Sequence, residues 1–132
     1  MKRVLIVDDE PIVRRFISLC LRGRYITEEA EDGEKALSKA VLGRYDCVIT
    51  DVQMPRMNGL RLLEEIKKRA PRTAVIVMSG AGEEHSSAAM ENGANSFLSK
   101  PFLVDTLRLA LQCVQRGNLL SLHKGERDAQ EK

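Results

Sequence analysis

Hydrophobic and polar positions alternate along this chain in blocks that predict strands and helices in turn. Short apolar runs predict buried strands, and apolar residues three and four apart predict amphipathic helices. The predicted strands are 3–7, 25–30, 46–50, 74–78 and 95–98, and the predicted helices begin at Pro11, Gly33, Gly59, Glu83 and Leu103. Strands that alternate with helices of about ten residues are typical of a parallel sheet with helices on both faces.

The predicted helices differ in how much apolar surface they offer. In the first, Ile12, Phe16, Leu19 and Cys20 share one face, which we expect to pack against the sheet. The helix over 83–92 has few large apolar residues. A helix that buries little is among the first elements to open, so we expect this one to be the most mobile.

Charged and hydroxyl side chains follow four of the predicted strands, at the point where each strand ends. Asp8 and Asp9 follow the first, Asp51 the third, Ser79 the fourth and Lys100 the fifth. Because parallel strands share one carboxyl edge, where such sheets bind ligands, we expect these side chains to lie together. Carboxylates in close contact repel unless a cation joins them, and Mg²⁺ prefers oxygen ligands.

Composition narrows the class of protein. The chain has 132 residues, enough for one domain with a single core, and its net charge of +2 is too small to indicate nucleic-acid binding. No apolar run reaches the length of a membrane span, and the N-terminus lacks the pattern of a secretory signal. Cys20, Cys47 and Cys113 are far apart in the sequence, so we expect reduced thiols, with Cys20 and Cys47 buried. Reduced thiols are typical of a cytoplasmic protein, which we therefore expect.

These motifs, taken together and in this order, resemble a known family. The motifs on which the resemblance rests are DD after the first strand, D-x-x-M-P-x-M-N-G after the third, Ser-Gly after the fourth and K-P-F after the fifth. The set resembles the receiver domain of bacterial two-component response regulators over about residues 1–116. The resemblance implies a flavodoxin-like (CheY-like), doubly wound sheet of five parallel strands in the order 2-1-3-4-5.

The resemblance also implies a role for each residue at this edge. Asp51 would accept a phosphoryl group, with Lys100 paired first to Asp51 and then to the phosphoryl group. Mg²⁺ would be bound directly by Asp9, Asp51 and the backbone carbonyl of Gln53, and through a water by Asp8.

Three further features of the family have counterparts here. Ser79 and Phe97 match its switch pair, in which the hydroxyl moves toward the phosphoryl group and the ring turns inward. Gln53 and Ala81 stand at the two variable positions beside the pocket, which in the family tune the phosphoryl lifetime. The family usually has a cis peptide bond before the proline that follows the lysine, here Pro101.

The implied function is phosphorelay signalling by a switch that catalyses only its own phosphorylation and dephosphorylation. The expected partners are a sensor histidine kinase or phosphotransfer domain, and a second copy or another partner on the output face from Glu83 to Arg116. We expect a receiver domain over 1–117, then a polar tail or linker over 118–132, mobile from His123 onward. We expect no direct binding to nucleic acid or membrane.

Other readings of the same residues are weaker. Aspartates before Pro11 could be helix caps, but a cap accounts for one aspartate and not for a pair near Asp51. A phosphatase of the haloacid dehalogenase class needs an aspartate two residues after its nucleophile, where this chain has Gln53. A flavin carrier is disfavoured because Asp8-Asp9-Glu10 would repel the flavin phosphate. A degenerate receiver that no longer takes phosphate is disfavoured because the acid pair, Asp51 and Lys100 are all present. We expect His85 and His123 to be surface residues.

Overall fold

The structure, a computed structural model, describes residues 2–80, 83–115 and 120–122. Strands and helices alternate as the hydrophobic pattern predicts, and the starts of the predicted elements agree to within one residue. The strands are β1 (Lys2–Val7), β2 (Tyr25–Ala30), β3 (Cys47–Asp51), β4 (Ala74–Ser79), β5 (Ser96–Ser99) and β6 (Leu120–Leu122), and the helices are α1 (Pro11–Leu21), α2 (Gly33–Leu42), α3 (Gly59–Arg69), α4 (Glu83–Glu91) and α5 (Val104–Gln115).

All the strands pair in parallel, in the order β2-β1-β3-β4-β5-β6. The predicted order 2-1-3-4-5 is therefore confirmed, with one strand added beside β5. That strand lies in the segment 118–132, which was predicted to be a polar tail or the start of a linker. The run Leu120-Ser121-Leu122 is too short to predict a strand, but β5 offers it an unpaired edge. The predicted mobility of 123–132 falls outside the described residues.

The core lies in two layers, one on each face of the sheet. Alternate residues of a strand point to opposite faces, so Leu5 and Val7 pack with α2, α3 and α4, whereas Val4 and Ile6 pack with α1 and α5. Every residue from Val4 to Val7 is fully buried. These central strands hold their carboxyl ends rigidly at one edge of the sheet.

The predicted buried face of α1 is wrong in part. Cys20 is buried as expected, but Ile12 is 82% exposed and Phe16 and Leu19 are about half exposed. The helix instead packs through Ile17 and Leu21, together with Cys20. Apolar residues occupy two faces of this helix, so spacing alone could not show which face meets the sheet.

Helix α4 is attached mainly by small side chains. Ser86 and Ala89 are its buried residues among those whose side chains are described, and Met90 is partly buried. This agrees with the small apolar area predicted from the sequence. Its greater mobility stays a prediction.

The cysteines are free thiols, as predicted. Cys20 and Cys47 are buried, whereas Cys113 is half-buried. Burial raises the pKa of Cys47 to about 12, so this thiol stays protonated and unreactive at neutral pH.

Gly59 permits a close approach between the start of α3 and the end of β3. A Cβ atom at this position would lie 2.0 Å from the carbonyl oxygen of Asp51 and 3.0 Å from Cα of Val52. Both contacts are with backbone, which cannot move aside without displacing Asp51. Glycine at this position therefore allows α3 to begin directly beside Asp51.

We expect Gly59→Ala to lower the free energy of unfolding by about 2 kcal/mol, because the clash outweighs the better helix propensity of alanine. Urea denaturation measures this directly. Gly80→Ala is the matched control, since a Cβ atom there meets nothing within 4 Å. Equal urea midpoints for the two variants would show that the close approach at Gly59 does not constrain the fold.

Candidate functional site

The carboxyl edge of the sheet brings together the side chains that the sequence singled out. Asp8 follows β1, Asp51 ends β3, Ser79 ends β4 and Lys100 follows β5. Asp8 is fully buried, Ser79 is 2% exposed and Asp51 is 9% exposed. Buried polar groups at neighbouring strand ends need partners, and their contacts define the site.

Lys100 pairs with two carboxylates at once. Its Nζ lies 3.3 Å from Oδ1 of Asp51 and 3.2 Å from Oδ2 of Asp8. The pairing with Asp51 was predicted, whereas the pairing with Asp8 was not. Asp8 Oδ1 accepts a hydrogen bond from the backbone amide of Glu10, so both oxygens of Asp8 have protein partners.

The two oxygens of Asp51 differ in their surroundings. Oδ1 accepts a hydrogen bond of 3.0 Å from the backbone amide of Val52 and also faces Lys100. Among the described residues, no hydrogen bond or ion pair engages Oδ2. One oxygen therefore fixes the carboxylate in place while the other remains available for chemistry.

Asp8, Asp9 and Asp51 form the acidic group that could hold a cation. Each offers a carboxylate oxygen, and these oxygens lie within 4.8 Å of one another. Asp9 is exposed, as is Gln53, whose carbonyl was predicted to be a further ligand. Lys100 pairs with two of the three carboxylates, so ion pairs among the described residues balance their charge only in part, and an all-oxygen set of this kind fits Mg²⁺.

Burial and charge change the acidities of the central pair. Burial raises the pKa of Asp51 above its ordinary value, and attraction to Lys100 only partly offsets this effect. Burial lowers the pKa of Lys100, but attraction to Asp51 and Asp8 outweighs it, and the net pKa is raised. Lys100 therefore stays positively charged at neutral pH, beside a carboxylate whose charge is costly to bury.

The loop between β3 and α3 is tied to the start of α2. Arg56 has a left-handed φ of 68°, and its Nη1 lies 3.2 Å from Oδ2 of Asp32. Asp32 also caps α2 by accepting a hydrogen bond from the Lys35 amide. At the other end of the loop, Asn58 caps α3 through the amide of Arg61. These supports were not predicted from the sequence, although Asp and Asn directly before a helix are common caps.

The predicted switch pair lies on β4 and β5. Phe97 is fully buried among the core residues on the α4 side of the sheet. Ser79 Oγ lies 2.6 Å from Nδ1 of His85, in the first turn of α4. The expectation that His85 is a surface residue is therefore wrong, because its ring is half-buried against Ser79.

Other predicted features stand beside the site. The Lys100–Pro101 peptide bond is cis, as expected from the resemblance. Ala81 and His123 fall outside the described residues. A groove of about 470 Å³ lies next to Lys100 and is lined by Val13, Phe16, Lys100, Pro101 and Phe102.

Comparison with known families decides what this arrangement is. Residues 4–112 match the response regulator receiver domain. The chain belongs to the receiver domain family. The match covers β1 from Val4 onward, β2 to β5 and every residue of the candidate site.

Individual relatives agree with this membership. Regulatory protein AtoC of Escherichia coli is 38% identical over 115 residues, which are 85% of this chain and 25% of AtoC. Transcriptional regulatory protein ResD of Bacillus subtilis is 32% identical over 102 residues, which are 76% of this chain and 42% of ResD. The chain thus spans less than half the length of either protein.

A solved structure supports both the fold and the family. The chemotaxis protein CheY4 of Vibrio cholerae is 34% identical to this chain and superimposes with a TM-score of 0.79. The alignment covers 85% of this chain and 97% of CheY4. The family is one of phosphorelay signalling switches, and Mg²⁺ at an acidic pocket is typical of it. No helix of the described ranges is long and apolar enough to cross a membrane.

We expect Asp51→Asn to stabilise the receiver domain at pH 7 without divalent cations. Because burial raises the pKa of Asp51, its ionised form costs stability above the folded-state pKa, and this cost disappears below the ordinary carboxyl pKa of about 3.9. The gain should be about 1 kcal/mol, or roughly 4 °C in Tm, at pH 7 and should shrink as the pH falls toward 4.

Thermal melts across this pH range test the expectation. Asp9→Asn is the control, because Asp9 is exposed and its charge is already solvated. A lower Tm for Asp51→Asn than for wild type at pH 7 would contradict the assignment of a buried, unfavourable charge to Asp51.

Proposed function

We propose that this receiver domain accepts a phosphoryl group on Asp51 from a sensor histidine kinase or a phosphotransfer domain. The observation that carries the proposal is the asymmetry of the Asp51 carboxylate. Oδ1 is held by the Val52 amide and Lys100, whereas Oδ2 has no partner among the described residues. A carboxylate fixed in this way is oriented for nucleophilic attack.

We propose Mg²⁺ as the cofactor, held directly by Asp9, Asp51 and the carbonyl of Gln53, and through a water by Asp8. The closeness of the three carboxylates and their excess negative charge support this assignment. Both oxygens of Asp8 already have protein partners, which suits an indirect contact. Bound Mg²⁺ would supply positive charge that draws a phosphodonor to an otherwise repulsive pocket.

In the transfer, an Asp51 oxygen attacks phosphorus while the bond from phosphorus to the donor's leaving atom breaks. The leaving atom takes that electron pair, and Asp51 becomes an acyl phosphate. Lys100, which is charged and already 3.3 Å from Asp51, is placed to pair with the transferred phosphoryl oxygens. Ser79 would donate a hydrogen bond to the same group, and Phe97 would repack as Ser79 moves.

The signal would reach the face formed by α4, β5 and α5, which we propose as the output surface over 83–116. A phosphoryl group adds about −1.5 to −2 charges at the end of β3, by analogy with other phosphorylated side chains, and biases a two-state element. Helix α4 suits that role because small residues attach it to the sheet. Homodimerisation or binding of a target on this surface would report the state.

We further propose a cytoplasmic switch that catalyses only its own phosphorylation and dephosphorylation and binds neither nucleic acid nor membrane directly. The receiver domain would occupy 1–117, and 118–132, which contributes β6 to the sheet, would be a tail or lead into an output domain. The length of ResD and AtoC beyond the matched region supports an output domain in relatives.

The groove beside Lys100, near the exposed Phe16, offers an apolar surface for the phosphodonor protein.

Incubation with Mg²⁺ and acetyl phosphate should add one phosphoryl group, because a small donor can replace the kinase when the pocket performs the transfer itself. Intact mass spectrometry detects the adduct. We expect it in the wild type and in Asp105→Asn, a control at an exposed carboxylate on α5, but not in Asp51→Asn or in the presence of EDTA. An adduct that survives in Asp51→Asn would refute Asp51 as the acceptor.

Asp9→Asn should weaken Mg²⁺ binding about tenfold or more, because it replaces a charged ligand by a neutral one. Isothermal titration with MgCl₂ gives the dissociation constant. Glu10→Gln is the matched control, since it removes an exposed charge one residue away from the proposed ligand set. If both variants weaken binding equally, Asp9 acts only through the general field of the acidic loop.

A further inference from the structure

The hydrogen bond between Ser79 and His85 joins the proposed switch hydroxyl to helix α4. Ser79 Oγ and His85 Nδ1 are 2.6 Å apart, and Ser79 is buried at the end of β4. His85 lies in the first turn of α4. The contact therefore links the edge that carries Asp51 with the helix proposed to carry the output.

The contact does not depend on which group donates. Ser79 Oγ can donate to Nδ1 of one tautomer of His85 or accept from Nδ1–H of the other, and both arrangements hold the hydroxyl oxygen 2.6 Å from the ring nitrogen.

A Ser79 hydroxyl that moves toward a phosphoryl group on Asp51, as proposed above, gives up this contact with His85. We propose that His85 is a positioning residue that holds the Ser79 hydroxyl in the unphosphorylated arrangement and thereby limits the population of the phosphoryl-competent state. This inference rests on the proposed function, since it concerns how Ser79 reaches a phosphoryl group on Asp51. Breaking the bond also frees the first turn of α4, which couples the hydroxyl to that helix.

Helix α4 buries few large apolar side chains, so a single hydrogen bond is a substantial part of its attachment to the sheet. Ser86 and Ala89 are the buried side chains described on the helix, and neither offers much apolar area. A single hydrogen bond contributes about 1 kcal/mol net, which corresponds to roughly a fivefold change in an equilibrium constant. An effect of that size on a weakly attached helix is measurable.

Beryllofluoride with saturating Mg²⁺ serves as the probe, because it occupies the place of a phosphoryl group on a carboxylate. Isothermal titration measures its apparent affinity for the full chain. We expect His85→Ala to bind the probe about fivefold more tightly than wild type. His85→Asn, whose side-chain amide can donate or accept a hydrogen bond near the position of Nδ1, should restore much of the wild-type affinity.

A double-mutant cycle separates positioning from a structural role. In a Ser79→Ala background, His85→Ala should leave the affinity unchanged, because the bond is already absent. Circular dichroism confirms that each variant is folded. The proposal would be overturned if His85→Ala raised the affinity for the probe equally in both backgrounds, or in neither. Weaker binding by His85→Ala would also overturn it, by showing that His85 assists Ser79.

The same titrations distinguish this inference from the proposed function. Probe binding by wild type that disappears in Asp51→Asn supports Asp51 as the acceptor, whatever the His85 variants do. In that case an unchanged affinity for His85→Ala overturns the positioning role alone. Absence of probe binding by wild type would overturn both.

Discussion

The contact of Lys100 with Asp8 and Asp51 is the interaction on which the rest of this site depends. It places one positive charge between two carboxylates that are almost entirely removed from water. Without the lysine, each acid would have only one backbone amide to offset the cost of burying its charge, and their mutual repulsion would add to that cost. The lysine lowers this cost but does not remove it, because the pKa of Asp51 remains raised.

The frame around this contact explains why the unfavourable arrangement persists. Central strands buried on both faces hold Asp8 and Asp51 at fixed positions, and β5 delivers Lys100 from the far side of β4. The missing side chain at Gly59 lets α3 start against the Asp51 carbonyl. Packing of the strands and of α3 thus holds these carboxylates together although Lys100 does not fully balance their negative charge. This suits a site that binds a cation and then a phosphoryl group.

The parallel sheet and the set of residues at its edge were predictable from local patterns in the sequence, whereas the strand order came from the resemblance to receiver domains. Buried parallel strands appear as short apolar runs, and a parallel sheet brings the residues after each run together. The exposed face of α1 was not predictable, because Ile12, Phe16 and Leu19 have helical spacing as regular as that of the residues that pack. Strand β6 was missed because three residues carry too little pattern.

The contacts of His85 and Arg56 could not be read from the sequence for a different reason. Each depends on how one element is rotated against another, as with α4 beside the end of β4. Arg56 reaches Asp32 from a left-handed backbone conformation that its residue type does not favour. Such tertiary contacts are particular to this chain, whereas the sequence motifs at the strand ends are those of the family.

The proposed phosphoryl acceptor is Asp51, and no other carboxylate at this edge of the sheet. Borohydride reduction converts an aspartyl phosphate to homoserine, and peptide mass spectrometry then locates the modified residue. After treatment with acetyl phosphate and Mg²⁺, we expect homoserine at position 51 and aspartate at positions 8 and 9. Homoserine at position 8 or 9, or at none of the three, would show that Asp51 is not the acceptor.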